Sequence, residues 1–311
     1  MHFTGTIWRP PYESGSLLIE ATAGCTHHRC KFCTLYDDLP FSFRMSPLED
    51  IEADLQEAQL YQTGPLERLG LRLQGLGEPQ SPRRAFLTGA NPFVLKTERL
   101  ERIAALIRSY FPRCGTIGCF ARITDVAAKT DQELVRLAQA GYDGITIGVE
   151  TGDGEPLDFM DKGYGPEDIL TQTRRLDEAG IGYHFFYLAG IAGAGKGGES
   201  AIRSAEIFNQ THPRRIGSSM LTIFPDSRLY REILAGNWRE AGEREKLEEV
   251  RTLVEHLDIP VIFAALGASN AVNLEGRLPE ERDMLIARLN GTISRYSEQE
   301  LRRYREQLPH L

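Results

Sequence analysis

Residues 17–33, LLIEATAGCTHHRCKFC, carry the strongest structural signal in this chain. The apolar run at 17–19 predicts a first β-strand, and three cysteines, Cys25, Cys30 and Cys33, follow it on one short loop. Thiolates are soft ligands that favour zinc or iron–sulfur clusters. Three of them are one fewer than the usual four, so such a loop would leave one metal position open for chemistry.

Composition indicates a globular protein with an ordinary core. The chain has 311 residues, which suits one large α/β barrel with a tail as well as two domains. Its formal net charge of −8 argues against a nonspecific nucleic-acid-binding surface. No run reaches membrane-spanning length and the N-terminus lacks a signal pattern, so a cytoplasmic location is expected. Three of the five cysteines lie within nine residues, which favours metal binding or catalysis over a disulfide framework.

Strand-like and helix-like segments alternate from residue 15 onward. After the first strand, further strands are predicted at 84–88, 116–123, 144–150, 183–189 and 218–224. Helices are predicted at 48–61, 97–110, 166–179 and 199–211, and Thr130 with Glu133 forms a capping box for another that ends at Gly141. A Gly/Pro-rich linker is predicted at 63–82.

This alternation predicts an α/β protein with a parallel sheet and right-handed crossovers. Its six βα units suffice for a partial (β/α)6 barrel over residues 1–230, followed by a mostly helical extension over 231–311. The extension contains predicted helices at 240–257, 280–289 and 297–308 and a short strand at 261–265. In barrels the active site lies at the carboxyl ends of the strands, so we expect the cysteine loop and the other strand-end segments to converge on one face.

The residues alone leave two kinds of metal site open. A structural zinc site would need a fourth ligand, which His27 or His28 could supply. A [4Fe–4S] cluster held by three cysteines would instead keep one iron free. The position of the loop after a buried strand, with no second ligand pair downstream, favours the cluster.

Residues 16–230 resemble the radical S-adenosylmethionine (SAM) superfamily, and most closely the subgroup that contains oxygen-independent coproporphyrinogen oxidase. The usual spacing in that family is C-x3-C-x2-C, with other variants, and the spacing in this chain is C-x4-C-x2-C. Phe32 matches the aromatic position common before the third cysteine. We expect the additional residue to bulge the loop without changing which three thiolates bind iron.

Four later segments are also similar to family segments, and the resemblance implies contacts with SAM. The GANP stretch at 89–92 resembles a Gly-Gly-Glu-Pro-type motif without its acid, whose backbone meets the SAM amino group. It implies that role for Gly89, Ala90 and Asn91.

The other matched positions lie on or after the third, fourth and sixth strands. The resemblance implies a SAM contact for Arg122, the ribose for Glu150, the carboxylate for Lys162 and the neighbourhood of adenine for Phe224. The alternative for Arg122 is a buried structural cation paired with Asp125 or Glu150. The resemblance further implies that SAM chelates the open iron and accepts one electron, which yields methionine and a 5′-deoxyadenosyl radical that abstracts hydrogen from substrate. The implied cofactors are a [4Fe–4S] cluster and S-adenosyl-L-methionine, and the implied partner is an electron donor such as flavodoxin or ferredoxin.

Other reactive groups have simpler explanations. Cys114 precedes the third strand and Cys119 points away from the face that carries Arg122, so both are predicted to be structural. The GIAGAGK stretch at 190–196, named here the glycine loop, resembles a phosphate loop, but Gly197 stands where that motif needs Ser or Thr. A flexible loop over the SAM or substrate pocket is expected instead.

Substrate contacts are predicted only by strand alternation. His184 and Tyr187 on the fifth strand are candidates, because alternate residues must face the barrel lumen. The GASN stretch at 267–270 is either a turn or a loop that closes the pocket. A small-molecule substrate is expected, with no nucleic acid and no membrane, and the reaction type (oxidoreductase, lyase or rearrangement) stays open. The alternatives are a zinc-binding structural or interaction protein built on residues 25–33, and a phosphate-loop nucleotide hydrolase that depends on Lys196.

Overall fold

The computed structural model describes residues 1–75 and 81–307. Its contacts divide the chain into two compact units. The first comprises Met1–Thr26, Tyr36–Ile145 and Ala179–Ile181, and the second comprises His27–Leu35, Thr146–Glu178 and Gly182–Leu311. Among the described helices, none combines the length and the apolar character needed to cross a membrane. The division into a barrel over 1–230 and an extension over 231–311 stays a prediction.

The first unit contains a parallel sheet covered by helices. Its strands are β1 (Leu17–Glu20), β2 (Thr22–Gly24), β3 (Phe43–Met45), β4 (Arg84–Thr88) and β5 (Thr116–Ala121). Its helices are α1 (Leu48–Thr63), α2 (Pro65–Leu73), α3 (Thr97–Tyr110), α4 (Ile123–Ala127) and α5 (Asp131–Gln139). Parallel pairing gives the order β1-β4-β5, and β2 pairs with β3 antiparallel.

Burial on both faces explains the parallel pairing in this unit. Successive residues Ala85, Phe86 and Leu87 of β4 are fully buried, which is typical of a parallel strand with both faces covered. At the start of α5, Thr130 accepts a hydrogen bond from Glu133 N at 3.2 Å, which confirms the predicted capping box.

The second unit continues the alternation of strands and helices. Its strands are β6 (Ile145–Glu150, whose first residue belongs to the first unit), β7 (Tyr183–Ala189), β8 (Arg215–Met220), β9 (Val261–Ala265) and β10 (Leu274–Leu278). Its helices are α6 (Gly154–Phe159), α7 (Pro166–Ala179), α8 (Gly197–Phe208), α9 (Arg228–Leu234), α10 (Glu243–His256), α11 (Arg282–Arg295) and α12 (Glu298–Glu306). The strand order is β6-β7-β8-β9-β10, with β7, β8 and β9 parallel and β10 antiparallel to β9.

The two faces of β7 have different surroundings. The rings of Phe185 and Tyr187 lie 5.2 Å and 6.3 Å, centroid to centroid, from Phe208 of α8. Side chains alternate between the faces of a strand, so His184 and Phe186 lie on the face that points away from α8. This alternation separates the two candidate substrate contacts, His184 and Tyr187.

The predicted α/β class is confirmed, and five elements have the bounds that the sequence predicted. They are β4, β7, β9, α3 and α7. The linker predicted at 63–82 is wrong over α2, because Pro65 suits the first turn of a helix and outweighs the Gly/Pro content of the segment. Residues 76–80 of that linker, and the end of the predicted helix 297–308, lie outside the described residues.

Two further differences concern the end of the sheet. The strand predicted at 218–224 lies at Arg215–Met220, because the apolar residue Leu221 belongs to a core cluster beyond the strand and not to the strand itself. The antiparallel strand β10 was not predicted, since its alternation of buried and exposed residues spans only five positions and includes Gly276.

Arg305 links α12 to the residue that follows β8, and removing its side chain should lower the stability of the protein measurably. Its side chain is 8% exposed, pairs with Glu243 Oε2 at 3.1 Å and donates to Leu221 O at 2.6 Å. We expect Arg305→Met to lower the free energy of unfolding by about 2 kcal/mol, because buried acceptors lose a charged donor. Urea titration measures the change. The exposed Arg303→Met serves as the control, and equal losses in both variants would contradict the expected tether.

Candidate active site

Cys25 lies in the first unit, directly after β2. Its N–H donates to Ser42 O at 2.8 Å, which fixes the backbone where the cysteine loop begins. The preceding Gly24 has a φ of 80°, and a Cβ there would lie 2.2 Å from Ser42 O, so this close approach requires glycine. Gly89 meets Thr22 in the same way, because its φ is 124° and a Cβ would lie 2.0 Å from Thr22 Oγ1.

A buried network joins the residue after Cys25 to the segment that follows β5. Asn91 is fully buried, and its Nδ2 donates to Thr26 Oγ1 at 2.7 Å and to both carboxylate oxygens of Asp125 at 3.1 Å. Asp125 Oδ2 also accepts from Arg122 N at 2.8 Å, at the start of α4. Burial raises the pKa of Asp125 to about 6, and the hydrogen bonds from Arg122 and Asn91 oppose that rise. Two predicted SAM residues, Asn91 and Arg122, are thus linked through Asp125.

Cys30 and Cys33 lie in the second unit, on a loop held by backbone hydrogen bonds. Lys31 N donates to Met160 O at 3.1 Å, and Leu229 N donates to Lys31 O at 2.7 Å. The loop is therefore fixed, within its own unit, between the end of α6 and the start of α9.

The spacer before Cys30 contains a left-handed residue. His28 has a φ of 45°, which non-glycine residues adopt infrequently. Next to it, Arg29 O accepts from Arg228 Nη1 at 2.8 Å, and the ring Nε2 of His27 lies 2.5 Å from Asp161 O. The tight turn at His28 is the kind of local bulge that the additional residue of the C-x4-C spacer was expected to produce.

Glu150 and Lys162 form an ion pair in the second unit. Lys162 Nζ lies 3.0 Å from Glu150 Oε1 and donates to Gly148 O at 3.0 Å. Lys162 is only 4% exposed, so these oxygens replace much of the water that its ammonium group would otherwise have. Glu150 has a φ of 64°, a strained conformation for a residue with a side chain and one that is often found at functional sites. The residues predicted for the SAM ribose and carboxylate therefore contact each other directly.

Helix α8 supports the turn that follows Glu150. Ser204 Oγ accepts from Gly152 N at 2.9 Å and lies 2.8 Å from Thr151 Oγ1. A Cβ on Gly152 would lie 2.8 Å from Ser204 Cα, so helix and turn are in close contact. These contacts hold the backbone on the carboxyl side of Glu150.

A cavity of about 410 Å³ lies beside the second-unit part of the cysteine loop. Its lining includes His27, Arg29, Asp158, Asp161 and Tyr164. This volume falls within the range of about 300–1,000 Å³ that is common for small-molecule sites. The lining carries both signs of charge, which suits a polar ligand better than an apolar one.

The thiols fit an iron–sulfur cluster in type and number. Cys25, Cys30 and Cys33 are half-buried and form no disulfide, whereas Cys114 and Cys119 are buried. Burial raises the pKa of Cys119 far above the ordinary thiol value, so it resists forming the thiolate that metals need. Within residues 1–75 and 81–307, no three His, Cys, Asp or Glu side chains form an assembled metal site.

The backbone of the glycine loop is not arranged to bind phosphate. Phosphate loops offer unengaged backbone N–H groups to their ligand. In this loop six amides already donate to acceptors within the chain, namely those of Gly190, Ile191, Gly193, Ala194, Gly195 and Lys196. The ammonium group of Lys196 pairs with Glu155. The loop therefore lacks the donors that the nucleotide-hydrolase alternative requires.

One acceptor for the glycine loop is a buried carboxylate. Glu249 of α10 is 1% exposed and accepts from Gly190 N at 2.9 Å and from Tyr187 OH at 2.7 Å. Burial raises the pKa of Glu249 to about 7, and those two hydrogen bonds oppose the rise. Tyr187 is fully buried against α8 and α10, so we retain only His184, on the opposite face of β7, as a candidate substrate contact.

The remaining candidates lie in loops after strands. Phe224 is half-buried four residues beyond β8, where its carbonyl accepts from Ser227 N at 3.0 Å. In the 267–270 stretch, Asn270 N donates to Gly267 O at 3.0 Å and its Nδ2 to Ser218 O at 3.0 Å. That stretch is therefore a turn fastened to β8.

Sequence reasoning missed Glu249, and it named Asp125 only as a possible ion-pair partner of Arg122, not as the acceptor for Asn91. For Asp125 a signal existed, because it stands at the third position of α4 and accepts from Arg122 N as the acid of a capping box does. For Glu249 the signal was weak. It lies on one helical face with Lys246 and Leu253, and two charges on a face usually indicate exposure.

The chain belongs to the radical SAM superfamily, because the sequence profile of that superfamily matches residues 19–193. The predicted family and the predicted enzyme class are thereby confirmed, and the zinc-binding alternative gains no support. The comparison with curated proteins gives no match.

Three solved structures share the fold. Coproporphyrinogen III oxidase (HemN) from Escherichia coli, a radical SAM enzyme, has 17% identity and a TM-score of 0.55, with 78% of this chain and 52% of that chain covered. The archaeal Elp3 of Methanocaldococcus infernus has 14% identity, a TM-score of 0.52 and coverages of 79% and 60%. The radical SAM methyltransferase TsrM from Kitasatospora setae, with cobalamin and a [4Fe–4S] cluster bound, has 20% identity, a TM-score of 0.50 and coverages of 71% and 40%.

These similarities confirm the predicted radical SAM type of α/β fold, and the coproporphyrinogen oxidase subgroup is represented among them. At this level of identity they concern the fold alone. The chain spans between 40% and 60% of the length of these three structures.

The Asn91–Asp125 contact predicts a pH-dependent defect. Asn91→Asp would place a second carboxylate where the amide now lies 3.1 Å from Asp125, and two carboxylates at that distance cannot both ionise. We expect a loss of about 2 kcal/mol in unfolding free energy near pH 8, mostly regained near pH 5, where the pair shares a proton. Urea titrations at both pH values measure the effect. Asn91→Ala removes a hydrogen bond that opposes the rise in the pKa of Asp125, so its loss of stability should also be somewhat larger at pH 8 than at pH 5. A change with pH in Asn91→Asp that is no larger than the change in Asn91→Ala would refute the prediction.

The raised pKa of Glu249 predicts that its contribution to stability falls as pH rises. The ordinary value, which applies to the unfolded chain, is 4.5, whereas the folded value is about 7. Between these values the folded protein holds a proton that the unfolded chain has released, so stability present below 4.5 is lost by about pH 7. Glu249→Gln cannot titrate, so the difference in unfolding free energy between wild type and variant should change with pH across this window. A pH-independent difference would show that the carboxyl titrates normally.

Proposed function

We propose that this protein is a [4Fe–4S]-dependent enzyme that cleaves SAM reductively to a 5′-deoxyadenosyl radical and abstracts hydrogen from a small-molecule substrate. The observation that carries the proposal is the set of half-buried cysteines Cys25, Cys30 and Cys33, none of them in a disulfide, within the matched segment 19–193. When bound, the cluster would supply the electron that cleaves SAM. Binding, orientation and exclusion of water fall to the residues of the chain.

The chain's own contribution to cluster binding is a backbone that is already ordered. Cys25 is fixed by its bond to Ser42, and the loop with Cys30 and Cys33 is fixed through Lys31. Ordering these residues during folding lowers the entropy that cluster binding would otherwise cost. The positive charge of Arg29 would partly offset the negative charge of a thiolate-ligated cluster, whereas the charge of Lys31 is already paired with Glu232.

In the second unit, Lys162 and Glu150 are proposed to bind opposite ends of the SAM methionyl-ribose portion. Lys162 would meet the carboxylate and Glu150 would accept hydrogen bonds from the ribose hydroxyls. Their ion pair at 3.0 Å keeps both charges compensated before ligand arrives, so neither is left buried alone. Phe224 is proposed to border adenine.

In the first unit, the proposed SAM residues are Gly89, Ala90, Asn91 and Arg122. The backbone at Gly89 and Ala90 would meet the amino group of SAM. The hydrogen bonds from Asn91 to Asp125 fix the backbone that follows Gly89 and Ala90. Asn91 is therefore proposed both to support that backbone and to contact SAM. Arg122 is proposed as a further SAM contact from the start of α4.

The proposed substrate lies against the face of β7 that carries His184, and nucleic acid is not proposed because the net charge is −8. An electron donor such as flavodoxin or ferredoxin is part of the proposal, as is a reducing, cytoplasmic location in which the thiols stay reduced. The reaction that follows hydrogen abstraction (oxidoreductase, lyase or rearrangement) is not assigned.

Anaerobic reconstitution with iron and sulfide tests the proposal. We expect about four iron atoms per chain, a brown colour, and formation of 5′-deoxyadenosine when SAM and a reductant are added. Cys25→Ala, Cys30→Ala and Cys33→Ala should each lose the iron and the 5′-deoxyadenosine. Cys114→Ala and Cys119→Ala are the matched controls and should keep both, because these thiols are buried structural groups.

A different result would favour the zinc alternative. Colourless protein that keeps one zinc per chain after reconstitution, and loses it on mutation of the same three cysteines, would refute the proposed enzyme. Equal iron loss in the control variants would show that the cysteine loop is not the cluster site.

A further inference from the structure

The segment after residue 237 holds the glycine loop in place, although it lies beyond the matched family segment 19–193. Ala194 N donates to Arg239 O at 2.9 Å, and Gly195 N donates to Glu245. A Cβ on Gly193 would lie 2.9 Å from Trp238 Nε1, so the indole covers the loop closely. All of these contacts lie within the second unit.

Glu249, a buried residue of α10, also contacts the glycine loop. Its Oε2 accepts from Gly190 N at 2.9 Å, at the residue where β7 ends and the glycine loop begins. A Cβ on Gly197, at the other end of the loop, would lie 2.7 Å from the same Oε2. One buried carboxylate therefore touches both ends of the loop.

Lys246, one turn earlier on α10, reinforces this arrangement. Its side chain is fully buried, and a Cβ on Gly190 would lie 3.1 Å from Lys246 Cε. Its Nζ pairs with Glu240 at 2.9 Å and with Glu243 at 3.0 Å. The ammonium group is thus compensated without drawing on Glu249, which leaves that carboxylate for Gly190 and Tyr187.

Buried charged groups of this kind are a poor means of gaining stability, because desolvation offsets much of the attraction. A buried apolar residue at 249 would serve a purely structural helix at least as well. What the carboxylate adds is a fixed acceptor for one backbone amide at the carboxyl end of a parallel strand, which is where ligands bind in folds of this class.

We propose that Glu249 is a positioning residue for SAM, which acts by fixing the Gly190 amide and with it the glycine loop at the carboxyl end of β7. The inference rests on the proposed function. It adds that α10, outside the matched family segment, is required for SAM affinity and not only for folding. Glu249 itself does not touch the ligand, since both of its oxygens are engaged by Tyr187 and Gly190.

The test uses the full chain loaded with its cluster, and measures SAM affinity by equilibrium titration together with hydrogen exchange of the peptide that contains residues 190–196. In Glu249→Gln, one of the two carboxylate oxygens that accept hydrogen bonds is replaced by an amide donor. We therefore expect faster hydrogen exchange in the 190–196 peptide and SAM binding weakened about tenfold. The iron content should not change. Glu248→Gln, an exposed neighbour on the same helix, should match wild type in both measurements. Val250→Ala, a cavity-forming change on α10, should lower stability without weakening SAM binding.

The outcomes separate this inference from the proposed function. If wild type binds SAM and Glu249→Gln binds it equally well while exchange at 190–196 is faster, the positioning role is overturned and the proposed function stands. If Val250→Ala weakens SAM binding as much as Glu249→Gln, the effect is one of general stability and the inference is again overturned. If cluster-loaded wild type binds no SAM, the proposed function fails and the inference falls with it.

Discussion

The site residues of the second unit depend on two backbone hydrogen bonds made by Lys31. Its N–H and its carbonyl are both engaged, one with Met160 and the other with Leu229. Met160 stands two residues before Lys162, so the bond that fixes the cysteine loop also fixes the segment that carries the proposed SAM-carboxylate ligand. Apolar packing strengthens the same junction, because Phe32 packs on the buried cluster that includes Met160 and Leu229. The Lys31 ammonium lies 4.1 Å from the Phe159 ring centroid and pairs with Glu232 at 2.9 Å, so every part of this residue has a structural partner.

Local patterns predicted the regular elements well. Helices α3 and α7 and strands β4 and β7 have clear periodicity and clear ends, and their bounds follow from the sequence. The errors occur where tertiary contacts decide. Leu221 looked like the continuation of a strand, yet it fills a core cluster formed with residues distant in sequence. No pattern within a short window can distinguish these two uses of an apolar residue.

The proposed ligands of the candidate site could be named from the sequence, whereas the residues that support them could not. Motif spacing and resemblance single out the cysteines, Glu150 and Lys162. Their supports, Asp125, Ser204 and Glu249, are ordinary polar residues whose importance comes from burial and from partners 34 to 62 positions away. Burial of a polar group is a property of the folded chain, so the sequence carries only indirect signs of it.

The left-handed turn at His28 lies in the sequence between Cys25 and the residues that anchor the loop in the second unit. The length of the cysteine spacer and the anchoring of the loop therefore involve different residues. The backbone bonds that hold the loop are made at Arg29 and Lys31, on the far side of this turn from Cys25. An additional residue accommodated by this turn would leave those anchors unchanged. The spacing between the first two cysteines could then differ among related chains without a change in how the loop with Cys30 and Cys33 is held. Motif searches that insist on a three-residue spacer would pass over chains built in this way.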